Sequence, residues 1–162
     1  MVLKYLITFL ISMVPLIELR GAIPFGLSPA MGGALDLVPL YAISIIGNML
    51  PVPIIFFFAR KFLVWGKDKK VIGKMCNFFL VKGDKAGKKL TSKTGQSIYI
   101  ALLLFVGIPL PGTGAWTGTL AASILDLDFK KSTIAVMSGV VLAGVIMGLV
   151  SAGVFGAVNV IA

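Results

Sequence analysis

The sequence contains no histidine and a single cysteine, Cys76. Without histidine the commonest general base and pH switch is missing. A lone cysteine excludes an internal disulfide, and no His/Cys set with metal-ligand spacing exists. No metal and no cofactor are therefore expected. Charge is equally scarce: charged residues make up 13% of the chain, against about 25% in soluble domains. What fills the space is apolar. Hydrophobic residues reach 58% and the mean hydropathy is +1.04. Charge-free runs of this kind point to lipid as the solvent and to helices as the only economical backbone within it. The expectation is one all-α integral membrane domain over residues 1–162. Residues 1–17, with Lys4 and an apolar centre, could pass for a signal peptide. No small-x-small cleavage site follows and the apolar stretch continues, so they are read as part of the domain.

The net charge of +9 is concentrated. Eleven of the fifteen basic residues fall within 60–93, against only Asp68 and Asp84. The positive-inside rule puts this segment on the cytoplasmic side of the plasma (inner) membrane. Its lysines are interleaved with Phe62, Trp65, Ile72, Met75, Phe78 and Phe79. That mixture suits amphipathic helices in the headgroups of an anionic leaflet rather than nucleic acid, which is not expected as a partner.

A helix needs about 20 apolar residues to span the hydrocarbon. Residues 38–58 and 133–161 each satisfy this and read as full crossings. Residues 2–35 and 97–125 are broken, the first near Pro15 and Pro24, the second at Pro109-Leu-Pro-Gly-Thr-Gly114. Their halves are too short to cross alone, and each stretch is either a kinked crossing or a re-entrant hairpin. Lys130 and Lys131 favour the hairpin for 97–125, because a single crossing would leave both lysines outside. Gly21-Ala22 aligns with Gly114-Ala115, and Leu35-Asp36-Leu37 with Leu125-Asp126-Leu127. The expected fold is therefore two re-entrant hairpins and two full crossings in an inverted repeat, with the site between the breaks. Gly144, Gly148, Ala152 and Gly156 form a close-packing ridge, within the chain or between two copies, and a homodimer is expected.

Glu18 and Arg20 sit where charge costs about 2.5–3.5 kcal/mol per group. On a helix their side chains would diverge, whereas an extended segment puts them on one side. Gly21 and Pro24 favour the extended reading, with both charges in one cavity. Arg20 offers a planar fork for carboxylate or phosphate, and Glu18 can hold it or release it. A purely structural buried pair is the alternative. In the second break, Gly112 and Gly114 let backbone N–H groups approach a ligand, Pro111 shapes the turn, and Thr113 and Thr117 add hydroxyls. The following half-helix offers its positive N-terminus. A glycine hinge is the plainer reading, and Trp116 fits either packing or ligand contact. Asn48 is a polar point in the first crossing that could line the cavity or bond to another helix.

Glu18-Leu-Arg-Gly-Ala-Ile-Pro24 and Pro109-Leu-Pro-Gly-Thr-Gly-Ala-Trp-Thr-Gly118 resemble the two signature segments of the small multidrug export family, itself similar to the DedA superfamily with its paired re-entrant hairpins. The family name implies drug export. The DedA relatives imply transport of lipid-linked phosphates, often with proton coupling. This chain has no charge between Lys93 and Asp126, so a two-carboxylate relay does not carry over. Three functions are weighed. The first is a transporter or flippase, with ion coupling, for an amphiphile with an anionic head such as a polyprenyl phosphate. The second is an exporter of small hydrophobic drugs or cations, and the third a membrane assembly factor without transport. Enzymatic chemistry is poorly provided for, with one carboxylate at membrane depth and no histidine.

Overall fold

A computed structural model describes residues 2–28, 35–70 and 72–161, with side chains for all of these except 89–91, 93–94 and 154–161. Among the described residues, all regular structure is helical. The order is α1 (Val2–Met13), α2 (Glu18–Leu27), α3 (Leu37–Met49), α4 (Pro51–Gly66), α5 (Gly73–Thr94), α6 (Ser97–Gly107), α7 (Ala115–Ile124) and α8 (Phe129–Ile161).

Length sorts these helices into two kinds. α1, α2, α6 and α7 have 12, 10, 11 and 10 residues, or roughly 15–18 Å each at 1.5 Å per residue. That is about half of a 30 Å hydrocarbon core. α3 and α4 run on through Leu50, which keeps helical torsions and donates its N–H to Ile46 O at 3.0 Å. Pro51 and Pro53 leave the Gly47 and Met49 carbonyls without their i+4 amide donors, a local gap that the helix bridges at Leu50. The result is one apolar rod, Leu37–Gly66, of 30 residues; a second apolar rod covers Phe129–Gly153. Only a third of the most apolar window of each is buried by the rest of the protein. A core helix of a soluble protein would be mostly covered. These two faces are instead bare and apolar, as lipid requires.

The joined α3–α4 helix and α8 are both longer than the crossings the sequence suggests. The first crossing takes in Arg60 and ends only at Gly66, so the amphipathic helix of the basic segment starts at Gly73 rather than at residue 60. The second begins at Phe129, four residues ahead of its expected start. Residues 29–34 of the first broken stretch lie outside the described residues.

The short helices pack on the rods in a crossed pattern. α1 lies along α2 and α3, and α6 lies along α8. α2 packs against α8, while α7 packs against α4. The core at their junction holds Leu19 and Ile23 of α2, Val52 of α4, Val106 of α6, Ala115 and Ala122 of α7, and Val136 and Val140 of α8. In lipid such packing is not driven by release from water but by close contact, which small residues permit. Gly139 shows this: a Cβ there would stand 2.6 Å from Leu103 O and 2.7 Å from Val106 Cβ.

The ridge on α8 is used the same way. Tyr41 of α3 donates its hydroxyl to Gly144 O at 3.0 Å, and a Cβ on Gly148 would collide with that hydroxyl. Gly144 and Gly148 are therefore filled from within the chain and offer no free surface to a second copy. Ala152 is exposed, and Gly156 lies outside the residues with described side chains.

Candidate functional site

The two breaks meet through a pair of charged side chains from α2. The expectation of an extended Glu18–Arg20 segment is not met: α2 is helical from Glu18, with Pro24 inside it. Pro24 sits in the second turn, where its missing N–H frees only the Arg20 carbonyl. A tight turn replaces the extended segment and lies just before the helix. Leu16 and Glu18 both adopt left-handed torsions, φ 72° and 53°, and Val14 O accepts the Glu18 N–H at 3.0 Å. Left-handed torsions at two non-glycine residues cost about 1–2 kcal/mol each, and such strain concentrates where a side chain must be aimed. Gly21 fits beneath this turn, since a Cβ would collide with Ile17 Cγ2.

The helix does separate the two charges, and it separates them usefully. Neither is ion-paired with the other. The Glu18 carboxylate, 3% exposed, accepts the backbone N–H of Ala115 at 3.2 Å and of Trp116 at 3.0 Å. These are the first amides of α7, which have no partner within their own helix. They form the positive end of its dipole. Gly114 makes the approach possible: its φ is 139°, and a Cβ would lie 2.7 Å from the Glu18 carboxyl carbon. Glu18 thus supplies, from another element, the cap that a local Ser or Asp would normally give.

Arg20 turns the other way, onto the end of α6. Its Nη1 donates to Leu110 O at 2.6 Å. Its Nη2 donates to Val106 O at 3.2 Å and to the Thr113 hydroxyl at 2.9 Å, with Ile108 O at 3.5 Å. The acceptors are carbonyls of the last α6 turn and of the loop beyond it, at the negative end of that dipole; those of Ile108 and Leu110 also accept the Leu110 and Thr113 N–H groups. Thr113 ties the loop together, with its Oγ1 2.9 Å from Ile108 O and 2.8 Å from Leu110 O. One anion on the positive end and one cation on the negative end hold the second break from both sides.

The remaining residues divide. Thr113, Gly114 and the Trp116 amide join Glu18 and Arg20. Pro111 and Gly112 stand exposed at the tip of the loop, and nothing lies within 4 Å of where a Gly112 Cβ would be. They shape the turn without touching the charges. Thr117 donates back to Gly114 O at 3.4 Å, a contact inside its own turn. Asn48 is fully buried in α3, and neither amide atom has a hydrogen-bond partner. An unpaired buried polar group costs about 1–3 kcal/mol. The Trp116 Nε1 is buried and unpaired as well. The groups that the sequence did not reveal are main-chain acceptors: the carbonyls of Val106, Ile108 and Leu110. Backbone acceptors leave no mark in a sequence beyond the prolines around them.

A second cluster, also unforeseen, joins the basic segment to the α7–α8 turn. Arg60 lies 3.1 Å from Asp84 of α5 and 3.2 Å from Asp126. Asp126 takes a left-handed torsion, φ 54°. Nearby, the Ser123 hydroxyl donates to Phe56 O at 2.6 Å. Asp36, ahead of α3, accepts the Tyr5 hydroxyl at 3.4 Å.

Residues 18–146, beginning on Glu18 itself and taking in both breaks, match the model of a family described as "Putative small multi-drug export protein". No curated protein and no solved structure compared with the chain matches it. The match and the two bare apolar rods agree on a membrane protein of the export class. The chain belongs to the small multi-drug export protein family.

Proposed function

We propose that this membrane transporter moves an amphiphile with an anionic head, and that Glu18 and Arg20 guard the site where the head binds. The single observation that carries this reading is the Glu18 carboxylate seated on the Ala115 and Trp116 amides. Two N–H groups at a helix N-terminus, a glycine with no Cβ in the way, and a guanidinium from two residues beyond Glu18 make an anion seat. In the described state the protein's own carboxylate fills it. A phosphate or carboxylate head competes for the same donors, gaining Arg20 as Glu18 withdraws. Binding then opens the contact between the two breaks, which is what alternating access needs. Asn48, buried and unpaired, supplies a further polar contact on the path.

The packing supports the inverted repeat and its two re-entrant hairpins in a multi-pass plasma-membrane protein. α1 on α3 corresponds to α6 on α8, and α2 on α8 to α7 on α4. The aligned Gly21-Ala22 and Gly114-Ala115 fall at the start of α2 and of α7, with Ala22 and Ala115 both fully buried. A homodimer remains part of the proposal, through faces other than the filled α8 ridge.

One observation favours a second reading, export of hydrophobic cations. The carbonyls of Val106, Ile108 and Leu110 form a cation seat that Arg20 now fills. The two readings separate in proteoliposomes loaded with a phosphate-headed fluorescent lipid or a cationic dye. The anion reading expects lipid movement that Arg20→Ala abolishes. Dye movement that survives or rises in Arg20→Ala, without lipid movement, overturns it. Membrane behaviour indifferent to both charges would leave an assembly role.

A further inference from the structure

α5 carries two faces with different chemistry. One is a stripe of Cys76, Leu80, Gly83 and Gly87 at helical spacing, turned to the body of the protein. A Cβ on Gly83 would collide with Ile124 O and one on Gly87 with Leu125 O, so α5 lies directly on the carbonyl end of α7. Asp84, beside this stripe, is held by Arg60. The opposite face has no acidic residue. It presents Met75 at 55% exposure and Phe78 at 56%, with Phe79 exposed beside them. Lys74, Lys82 and Lys85 surround these, and Lys82 Nζ stands 5.4 Å from the Phe78 ring.

This face continues into another. The α4–α5 turn exposes Lys67, Lys69 and Lys70 against one acid, Asp68, and Lys69 stands 4.6 Å from the Trp65 ring. Before it, α4 exposes Phe58, Phe62 and Trp65. These sit on the rod whose bare apolar flank is suited to lipid. Exposed aromatics with lysines around them are costly in water. At a membrane surface the rings sink to the acyl boundary and the ammonium groups stay among the headgroups.

We infer that the outer face of α5, with the α4–α5 turn, docks on an anionic lipid surface, the leaflet into which α4 already runs. Charge complementarity and unbroken continuity with the lipid-facing flank of α4 select this occupant. The docked helix is held from both sides, by lipid on its basic-aromatic face and by the α7 carbonyls on its glycine face. This inference does not depend on what the transporter carries.

The test uses the full chain in lipid nanodiscs, with Cys76→Ala and a reporter at Met75→Cys carrying a small environment-sensitive fluorophore. Discs of zwitterionic lipid alone are compared with discs containing anionic phosphatidylglycerol. Quenching is read from the water side with neutral acrylamide and from the lipid side with headgroup-proximal spin-labelled lipid. Docking predicts lipid-side quenching and shielding from acrylamide in anionic discs, weaker in zwitterionic discs and in high salt. Each lysine contributes about fivefold to the docked fraction near an anionic surface. Lys82→Gln with Lys85→Gln, both exposed and harmless to packing, should therefore lower the docked-to-undocked ratio by more than tenfold. Equal acrylamide access in both discs overturns the inference. So does shielding that appears only when RNA or an acidic protein is added, which would assign the face to that partner.

Discussion

Arg20 donates to Leu110 O at 2.6 Å, while Glu18, two residues earlier, receives the Trp116 N–H at 3.0 Å. The pair that reads as a buried ion pair is instead a double cap. Each charge answers the dipole end of a different short helix, which explains how both are tolerated in an apolar stretch: neither is left without donors or acceptors.

Removing the anion should loosen the second break. Glu18→Gln keeps the size of the side chain but offers the Ala115 and Trp116 amides one acceptor oxygen and no charge. The expected loss is about 1.5–3 kcal/mol, the worth of hydrogen bonds to a charged group. Thermal unfolding in nanodiscs should show it, with a larger loss for Glu18→Ala.

The two glycines of the break should respond unequally. Gly112 has φ 82° and open space around it, so Gly112→Ala meets only the backbone penalty, about 1–2 kcal/mol. Gly114 has φ 139°, and its Cβ would drive into the Glu18 carboxylate. Gly114→Ala should therefore cost about 2–4 kcal/mol, in the range of strained and overpacked sites, and stop transport. Equal effects of the two substitutions on stability and flux would show that the carboxylate does not sit where described.

Much of this was legible in the sequence, and the rest was hidden for definable reasons. Solvent, helical class, both rods and both breaks follow from hydropathy and prolines. Glu18, Arg20, Thr113 and Gly114 stand out because each is anomalous in an apolar run. The error was to take Gly21 and Pro24 as helix breakers: a turn ending at Glu18 leaves Pro24 tolerable inside α2. The acceptors of Arg20 are carbonyls and carry no residue signature. The α8 ridge reads as packing either within the chain or between copies, because nothing in the sequence says that Tyr41 fills it.

Arg60 should act as a clamp at the other end of α7. Its side chain is partly exposed and bridges Asp84 and Asp126, so each pair is worth about 0.2–1 kcal/mol and weakens in salt. Arg60→Ala should lower stability only modestly. Gly83→Leu, which would push α5 off the Ile124 carbonyl, should cost far more. Hydrogen exchange of α5 amides separates the two, with small and large loss of protection respectively.

Topology gives a further expectation. Asp128 is exposed in the turn that opens α8. With Cys76 replaced, a cysteine at 128 should be shielded from an impermeant reagent added outside and react only from the cytoplasmic side. Labelling from outside would remove the second re-entrant hairpin.

The central claim is that a substrate anion displaces Glu18 from the start of α7. Glu18 is the one glutamate in the chain, and Trp116 is one of two tryptophans, so carbon-13 in glutamate carboxyl and nitrogen-15 in tryptophan amides isolate this contact. Solid-state dipolar recoupling in lipid bilayers should show strong coupling between Glu18 Cδ and one tryptophan amide. Adding a short-chain phosphate-headed lipid that the protein transports should abolish that coupling, and Arg20→Ala should prevent the change. Coupling that persists unaltered at saturating lipid would contradict the account.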